Sequence, residues 1–298
     1  MLLEAVPNFS EGRRPEVVAA IGRAAARVEE LALLDSSLDG DHNRAVLTMA
    51  GPPEAIVEGL LAAAGVARSW IDLGRHEGVH PRLGAMDVCP VVPLRDATMA
   101  DAVATARRVA DLLASEVGLP SLLYGEACEL EAHRELPDLR RGGLAGLRAR
   151  LAAGDRLDRG GPLPHPTAGV CCVGAREVLI AFNVVLDGDD LGAARRIARA
   201  VRGRDGGLPA VRALGLRLPR RGVVQVSLNL LDWRRTGLRA AFAAVEAAAA
   251  REGVGVAGSE LVGLAPAAAL DEATAAAVRL EGGAAGRTIE ERLRASGL

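Results

Sequence analysis

The sequence has no lysine: all 36 of its basic residues are arginine. That absence excludes a lysine-bearing phosphate loop, a lysine Schiff base and a pyridoxal-phosphate anchor. Arginine stays protonated, so among the basic side chains only the 5 histidines can exchange a proton near neutral pH. Net charge is nearly missing too. The 36 basic residues face 38 acidic ones, a balance of −2, which offers no bulk field for nucleic acid or an anionic membrane. No apolar run reaches the ~20 residues of a membrane span, and no charged-then-apolar leader opens the chain. A cytoplasmic protein is expected. The 4 cysteines, Cys89, Cys128, Cys171 and Cys172, never fall at C-x-x-C spacing. Their apolar, strand-like surroundings predict buried thiols rather than bridges or metal ligands.

What is present is a chain of 298 residues, 50% apolar, long enough for about two domains. Alternation and helical spacing predict strands at 1–9, 31–35 and 44–49 and helices at 14–30 and 52–73. In 86–94, Pro90 and Pro93 rule out helix and favour an edge-like strand with a bulge. A helix over 99–117 and a strand over 119–124 come next. Residues 125–168 are rich in Arg, Gly and Pro and read as a connector with one short helix near 144–151. The second half is predicted to begin with a strand at 170–173. From 179 the order is β-α-β-β-α-β, the split βαβ pattern of a ferredoxin-like sheet, and the first half opens with the same order. The predicted fold is therefore α/β (α+β): two ferredoxin-like subdomains, 1–168 with the connector and 169–298, and a ligand cleft or tunnel between them.

The stretch R-H-E-G-V-H-P-R-L-G-A-M-D, from Arg75 to Asp87, spells the zinc-protease motif H-E-x-x-H. That chemistry needs both histidines on one helix. Gly78 weakens a helix and Pro81 pushes His80 away from helical angles, so no metal is expected. Two readings remain: exposed loop histidines without a role, or a catalytic loop in which a histidine beside arginine and carboxylate moves protons. G-V-G-V-A-G, Gly253 to Gly258, imitates a dinucleotide fingerprint. It follows a predicted helix and leads into a strand, the reverse of the required order, so a close-packed turn fits better.

Other polar positions carry two readings each. In N-F-S-E, Asn8 and Ser10 serve either helix capping or anion capture at a helix start. The loop from Asp39 to Arg44, with His42, is a solvated hairpin or a ligand loop. Arg44 and Arg82 suit bidentate recognition of carboxylates. Asn183, Ser227 and Asn229 lie inside strands, where amides are unfavourable. They are edge-facing polar positions or the wall of a polar cleft.

Segments in order along the chain resemble the formiminotransferase family: V-P-N-F-S-E-G from Val6, G-V-H-P-R-L-G-A-M-D-V-C-P from Gly78, Y-G-E-A from Tyr124, L-I-A-F-N from Leu179, Q-V-S-L-N-L-L-D from Gln225 and G-S-E-L-V-G-L-A-P from Gly258. The resemblance implies two α/β subdomains around a folate-binding tunnel. It implies transfer of a formimidoyl group from N-formimidoyl-L-glutamate to N5 of tetrahydrofolate, in one-carbon metabolism and histidine degradation. Tetrahydrofolate is then a co-substrate, no metal is needed, and a homodimer is expected. His80, within H-P-R-x-G-A, becomes the catalytic histidine. A folate-contacting segment falls on Gly160, Gly161, Pro162, Leu163 and Pro164, continuing through His165, Pro166, Thr167, Ala168 and Gly169. The chain departs from the mammalian type at Ala168, where that type has tryptophan, and at Ser37, where it has aspartate; the D-H-N-R wording at 41–44 is also absent there. Asp39, Asp41 or His42 would supply what Ser37 does not. On this resemblance the chain is expected to be the stand-alone transferase, without a cyclodeaminase half. Two alternatives share this machinery: formyl transfer from N-formyl-L-glutamate, and folate binding without turnover.

Overall fold

The opening strand is buried at every residue from Leu2 to Ala5 and runs through the middle of a sheet. In the computed structural model, which describes residues 1–78 and 81–298, Leu2–Ala5 (β1) and Asn8–Phe9 (β2) are two pieces of one strand broken at Val6-Pro7. Ala32–Asp39 (β3) pairs with Arg44–Gly51 (β4), and β4 pairs with β1 and β2. The other side of β1 and β2 holds Met86–Arg95 (β5). The helices Pro15–Ala25 (α1), Pro53–Trp70 (α2) and Met99–Leu112 (α3) cover one face. Val18 and Ile21 of α1, Ile56 and Leu60 of α2 and Val109 of α3 pack there against Leu3, Phe9, Leu47, Met49 and Val91. A capping box between Thr98 and Asp101 starts α3. Helix α1 stops at Ala25 rather than reaching Glu30. The chain must turn back into β3, and Glu30 takes a left-handed φ of 62° to do so.

Strand β5 is interior, not the edge strand expected from its prolines. Pro90 falls where the broken partner leaves a gap: Ala5 pairs with Val91, pairing resumes at Asn8 with Val88, and between them the Val6 N–H donates to the Pro90 carbonyl at 3.2 Å. Pro93 lies beyond Val91, the last residue of β5 paired on its far side. The missing N–H groups therefore cost the ladders little.

Ser121–Gly125 (β6) and Cys171–Ala175 (β7) extend the sheet. Strand β7 runs parallel between β5 and β6. The strand expected to open the second half thus belongs to the first. It is buried along its whole length, as an interior parallel strand must be. The chain divides at Arg176/Glu177, after the expected 168/169 boundary.

The expected connector is a packed layer. Leu136–Leu139 (α4) and Gly143–Ala152 (α5) bring Leu139 and Leu147, with Leu157, onto Leu83, Val88, Leu122, Tyr124 and Cys172. His133 is buried, with Nδ1 2.8 Å from Asp158 Oδ2 and Nε2 2.9 Å from Asp155 Oδ1. Both nitrogens must carry hydrogen to donate to both carboxylates. The imidazolium form is accordingly favoured, first by the Asp158 hydrogen bond and against burial.

The second unit is built from Ile180–Leu186 (β8), Leu191–Val201 (α6), Val211–Leu218 (β9), Val223–Leu230 (β10), Leu238–Arg251 (α7) and Val256–Val262 (β11). The strand order β11-β8-β10-β9, antiparallel throughout, is the ferredoxin-like arrangement read from the sequence. Phe182, Val184, Val226 and Leu228 face Ile197 of α6 and Phe242 and Val245 of α7. Glu272–Ala277 (α8) and Ile289–Ala295 (α9) complete the unit. Cys89, Cys171 and Cys172 are buried free thiols and Cys128 is a half-buried one. Among the described residues no helix is long and apolar enough to cross a membrane.

Candidate active site

The loop between β3 and β4 is folded on itself rather than solvated. Asp39 Oδ1 accepts the N–H groups of Asp41 and His42, each at 2.8 Å, and Asp39 Oδ2 lies 2.7 Å from His42 Nδ1. Burial alone would raise the Asp39 carboxyl, but the hydrogen bonds from the His42 ring and backbone outweigh it and hold it below the usual carboxylate range. Asp41, His42 and Asn43 are each only 7% exposed. Asn43 takes a left-handed φ of 48°, which asparagine tolerates better than most residues. Its side chain accepts from Gly12 N at 2.9 Å and donates to the Glu77 carbonyl at 2.8 Å. The β3–β4 loop is thereby tied to the histidine loop. The approach is so close that a Cβ on Gly78 would lie 2.4 Å from the His42 carbonyl oxygen.

Within the H-E-G-V-H-P-R stretch, His80 lies outside the described residues, as does Val79. His76 is described. Its Nε2 is 3.1 Å from the Asn43 carbonyl oxygen. Arg82 Nη1 lies against both ring nitrogens. Burial first, and the Arg82 charge next, push the His76 imidazole below its ordinary value, so it is neutral at pH 7. Arg82 also donates to the His42 carbonyl at 3.1 Å. Burial lowers Arg82 to about 10, still protonated.

Asp87, at the start of β5, anchors the backbone just before it. Its Oδ1 accepts from Leu83 N at 2.6 Å, and its Oδ2 pairs with Arg140. Arg44 Nη1 lies 3.7 Å from the same oxygen, and Arg44 Nε donates to Asn8 Oδ1 at 2.8 Å. Burial, then the Arg140 charge, bring the Arg44 guanidinium down to about 9, with Asp87 acting the other way. Asn8 in turn donates to the Val6 carbonyl at 2.7 Å. Ser10 does not cap α1; its buried hydroxyl donates to the Gly84 carbonyl at 2.7 Å. Phe9, Ser10, Asn43, Arg44, Pro81, Arg82 and Asp87 line a narrow recess. Three guanidiniums around one carboxylate make its surroundings favourable to an anion.

The turn from Gly160 to Gly169 ends against the same loop. Leu73 N donates to the Thr167 carbonyl at 2.8 Å, and Ala85 N to the Ala168 carbonyl at 2.8 Å. His165 Nδ1 accepts from Ala168 N at 3.0 Å. Gly169 takes φ 69°, and a Cβ there would lie 2.0 Å from the Leu83 carbonyl oxygen. Only glycine fits. Along the rest of the turn, Gly161 is exposed with φ 89° and Leu163 is 68% exposed.

In the second unit, Asn183 and Ser227 are register partners on β8 and β10. These are the two central strands, so the edge-facing reading of both residues does not hold. Asn183, Ser227 and Asn229 share the sheet face opposite α6 and α7. Asn183 is buried and Asn229 exposed.

The structure thus brings Asn8, Ser10, Asp39, His42, Arg44, Arg82 and the Ala168–Gly169 turn to one end of the first sheet. It adds His76, Asn43, Asp87 and Arg140. His76 and Asp87 stand in the quoted stretch, but nothing in the sequence marks Arg140. Among the described residues no group of three His, Cys, Asp or Glu side chains could hold a metal ion.

Comparison with known proteins agrees with this organisation. Residues 2–176 match the model of the formiminotransferase domain, N-terminal subdomain, and residues 181–290 that of the formiminotransferase domain. A glutamate formimidoyltransferase of Streptococcus pyogenes serotype M1 is 39% identical over 90% of this chain and 90% of its own length. One of Thermoplasma acidophilum is 36% identical over 98% of this chain and 97% of its own length. The formimidoyltransferase-cyclodeaminase of Sus scrofa is 42% identical over 92% of this chain, which spans 52% of that longer protein.

Proposed function

The chain belongs to the formiminotransferase family, and from that membership we propose that it transfers the formimidoyl group of N-formimidoyl-L-glutamate to N5 of tetrahydrofolate. The products are 5-formimidoyltetrahydrofolate and L-glutamate. The observation that carries this reading is the near end-to-end match to stand-alone glutamate formimidoyltransferases from two organisms.

The folate N5 attacks the formimidoyl carbon to give a tetrahedral intermediate. The new N5–C bond persists and the C–N bond to glutamate breaks. The N5 proton must be removed, and the glutamate nitrogen must gain one to leave. A single imidazole can take the first proton and return it to the second nitrogen. We assign this role to His80, on its sequence context and on the anchoring of the backbone just after it. The guanidiniums of Arg44 and Arg82 suit substrates that carry carboxylates. Arg44 and Arg82 are proposed as the charges that attract glutamate and folate carboxylates, and Asp39 and His42 as a polar wall. The Gly160–Gly169 turn and the Asn183, Ser227 and Asn229 face are proposed as substrate-contacting surfaces. Cytoplasmic location and a homodimer are carried over from the family; light scattering on the purified protein tests the second.

The direct assay mixes purified protein with tetrahydrofolate and either N-formimidoyl-L-glutamate or N-formyl-L-glutamate, and monitors glutamate release. The account expects release from the formimidoyl donor. Release from the formyl donor alone, or folate binding with no release from either, contradicts it.

A further inference from the structure

Arg140 stands far along the sequence from the histidine loop, on a layer with no chemistry of its own. Yet its side chain is 11% exposed and its guanidinium reaches two groups of that loop's base: the Pro81 carbonyl at 2.5 Å and the Asp87 carboxylate. Asp87, 3% exposed in its side chain, accepts from Leu83 N at 2.6 Å. The Pro81–Leu83 segment is therefore pinned from two directions: at Pro81 by Arg140 and at Leu83 by Asp87, with the two pinning groups joined to each other.

The layer that delivers Arg140 is itself fixed. Leu139, the residue before Arg140, is buried with Leu147, Leu83 and Val88. Both contacts are made by one nitrogen, Nη2, of a planar guanidinium whose reach and orientation a lysine at the same place does not reproduce.

We propose that Asp87 and Arg140 are positioning residues for the transfer step, holding the backbone immediately after His80 so that its imidazole meets both nitrogens. The proposal rests on the acid–base reading of His80. A displacement of about 1 Å at a reacting group is worth about a hundredfold in rate. Loss of either anchor therefore lowers kcat about ten- to hundredfold, with KM for both substrates changed only a few-fold.

The test compares Arg140→Gln, Arg140→Lys, Arg140→Gly and Asp87→Asn with His80→Ala, each checked for folding by its thermal midpoint. The expected result is a kcat loss in all four anchor variants. Partial rescue of Arg140→Gly by added guanidinium ion is also expected, which a merely structural defect would not show. If Arg140→Gln fails to fold, Arg140→Lys carries the comparison. Wild-type kcat in folded Arg140→Gln or Arg140→Lys while His80→Ala is inactive overturns the positioning role alone. Wild-type turnover in His80→Ala overturns the acid–base reading, and the positioning role with it.

Discussion

Two histidines other than His80 respond to pH in opposite senses, and their surroundings say why. His76 is held below its ordinary value of 6.5 by burial and then by Arg82, so the folded protein resists a proton that the unfolded chain accepts. Its contribution to stability is complete above that ordinary value and is lost as pH falls from there through its lowered folded value. His133 is held above 6.5 by Asp158 and Asp155, against burial. Its contribution is complete below the ordinary value and is lost as pH rises through the raised one. In urea unfolding, the stability gap between wild type and His133→Gln is therefore widest near about pH 6 and narrows toward about pH 9. The gap for His76→Asn is widest near about pH 8 and narrows toward about pH 5. Gaps independent of pH would contradict both assignments. At this scale the sequence was partly readable. His80 stood out because proline comes directly after it, and Asp87 lay inside the same stretch. Arg140 was unreadable: it meets Asp87 across a separation of 53 residues, and one arginine among so many carries no local mark.

At the scale of elements, the layer made by α4 and α5 separates the structure from the expectation of a loose connector. Its composition, rich in glycine and arginine, reads as loop around one short helix: Leu144, Leu147 and Leu151 fall at helical spacing, but nothing in the sequence names the surface they cover. They acquire meaning only against Leu122, Tyr124 and Cys172 on the far face of the sheet. Leu147 is fully buried there. Leu147→Ala should cost about 2–5 kcal/mol, the range for truncating a packed leucine; a connector would lose almost nothing. Differential scanning calorimetry or urea unfolding distinguishes these outcomes. Strand β7 makes the same point. Its apolar run was recognised as a strand, but a run buried on both faces does not declare which sheet it joins, and only pairing with β5 and β6 places it. The second unit was more legible, because each strand alternates cleanly and each helix has one apolar side, so the pattern and the order specify the sheet together.

For the whole molecule, one chain builds two units, and each carries a group of the polar residues read from the sequence. In the first unit the anchored loop, the β3–β4 loop and the Gly160–Gly169 turn meet at one end of the sheet; in the second, Asn183, Ser227 and Asn229 lie across the central strands. The central claim is that one imidazole, His80, carries the proton between the two nitrogens of the transfer. It is tested most directly by steady-state kinetics of His80→Ala with N-formimidoyl-L-glutamate and tetrahydrofolate, alongside its circular dichroism and thermal midpoint. The account predicts a folded protein whose kcat falls about 10²–10⁴-fold, the usual worth of such a group, with KM values changed only a few-fold. A folded variant turning over at the wild-type rate would contradict it.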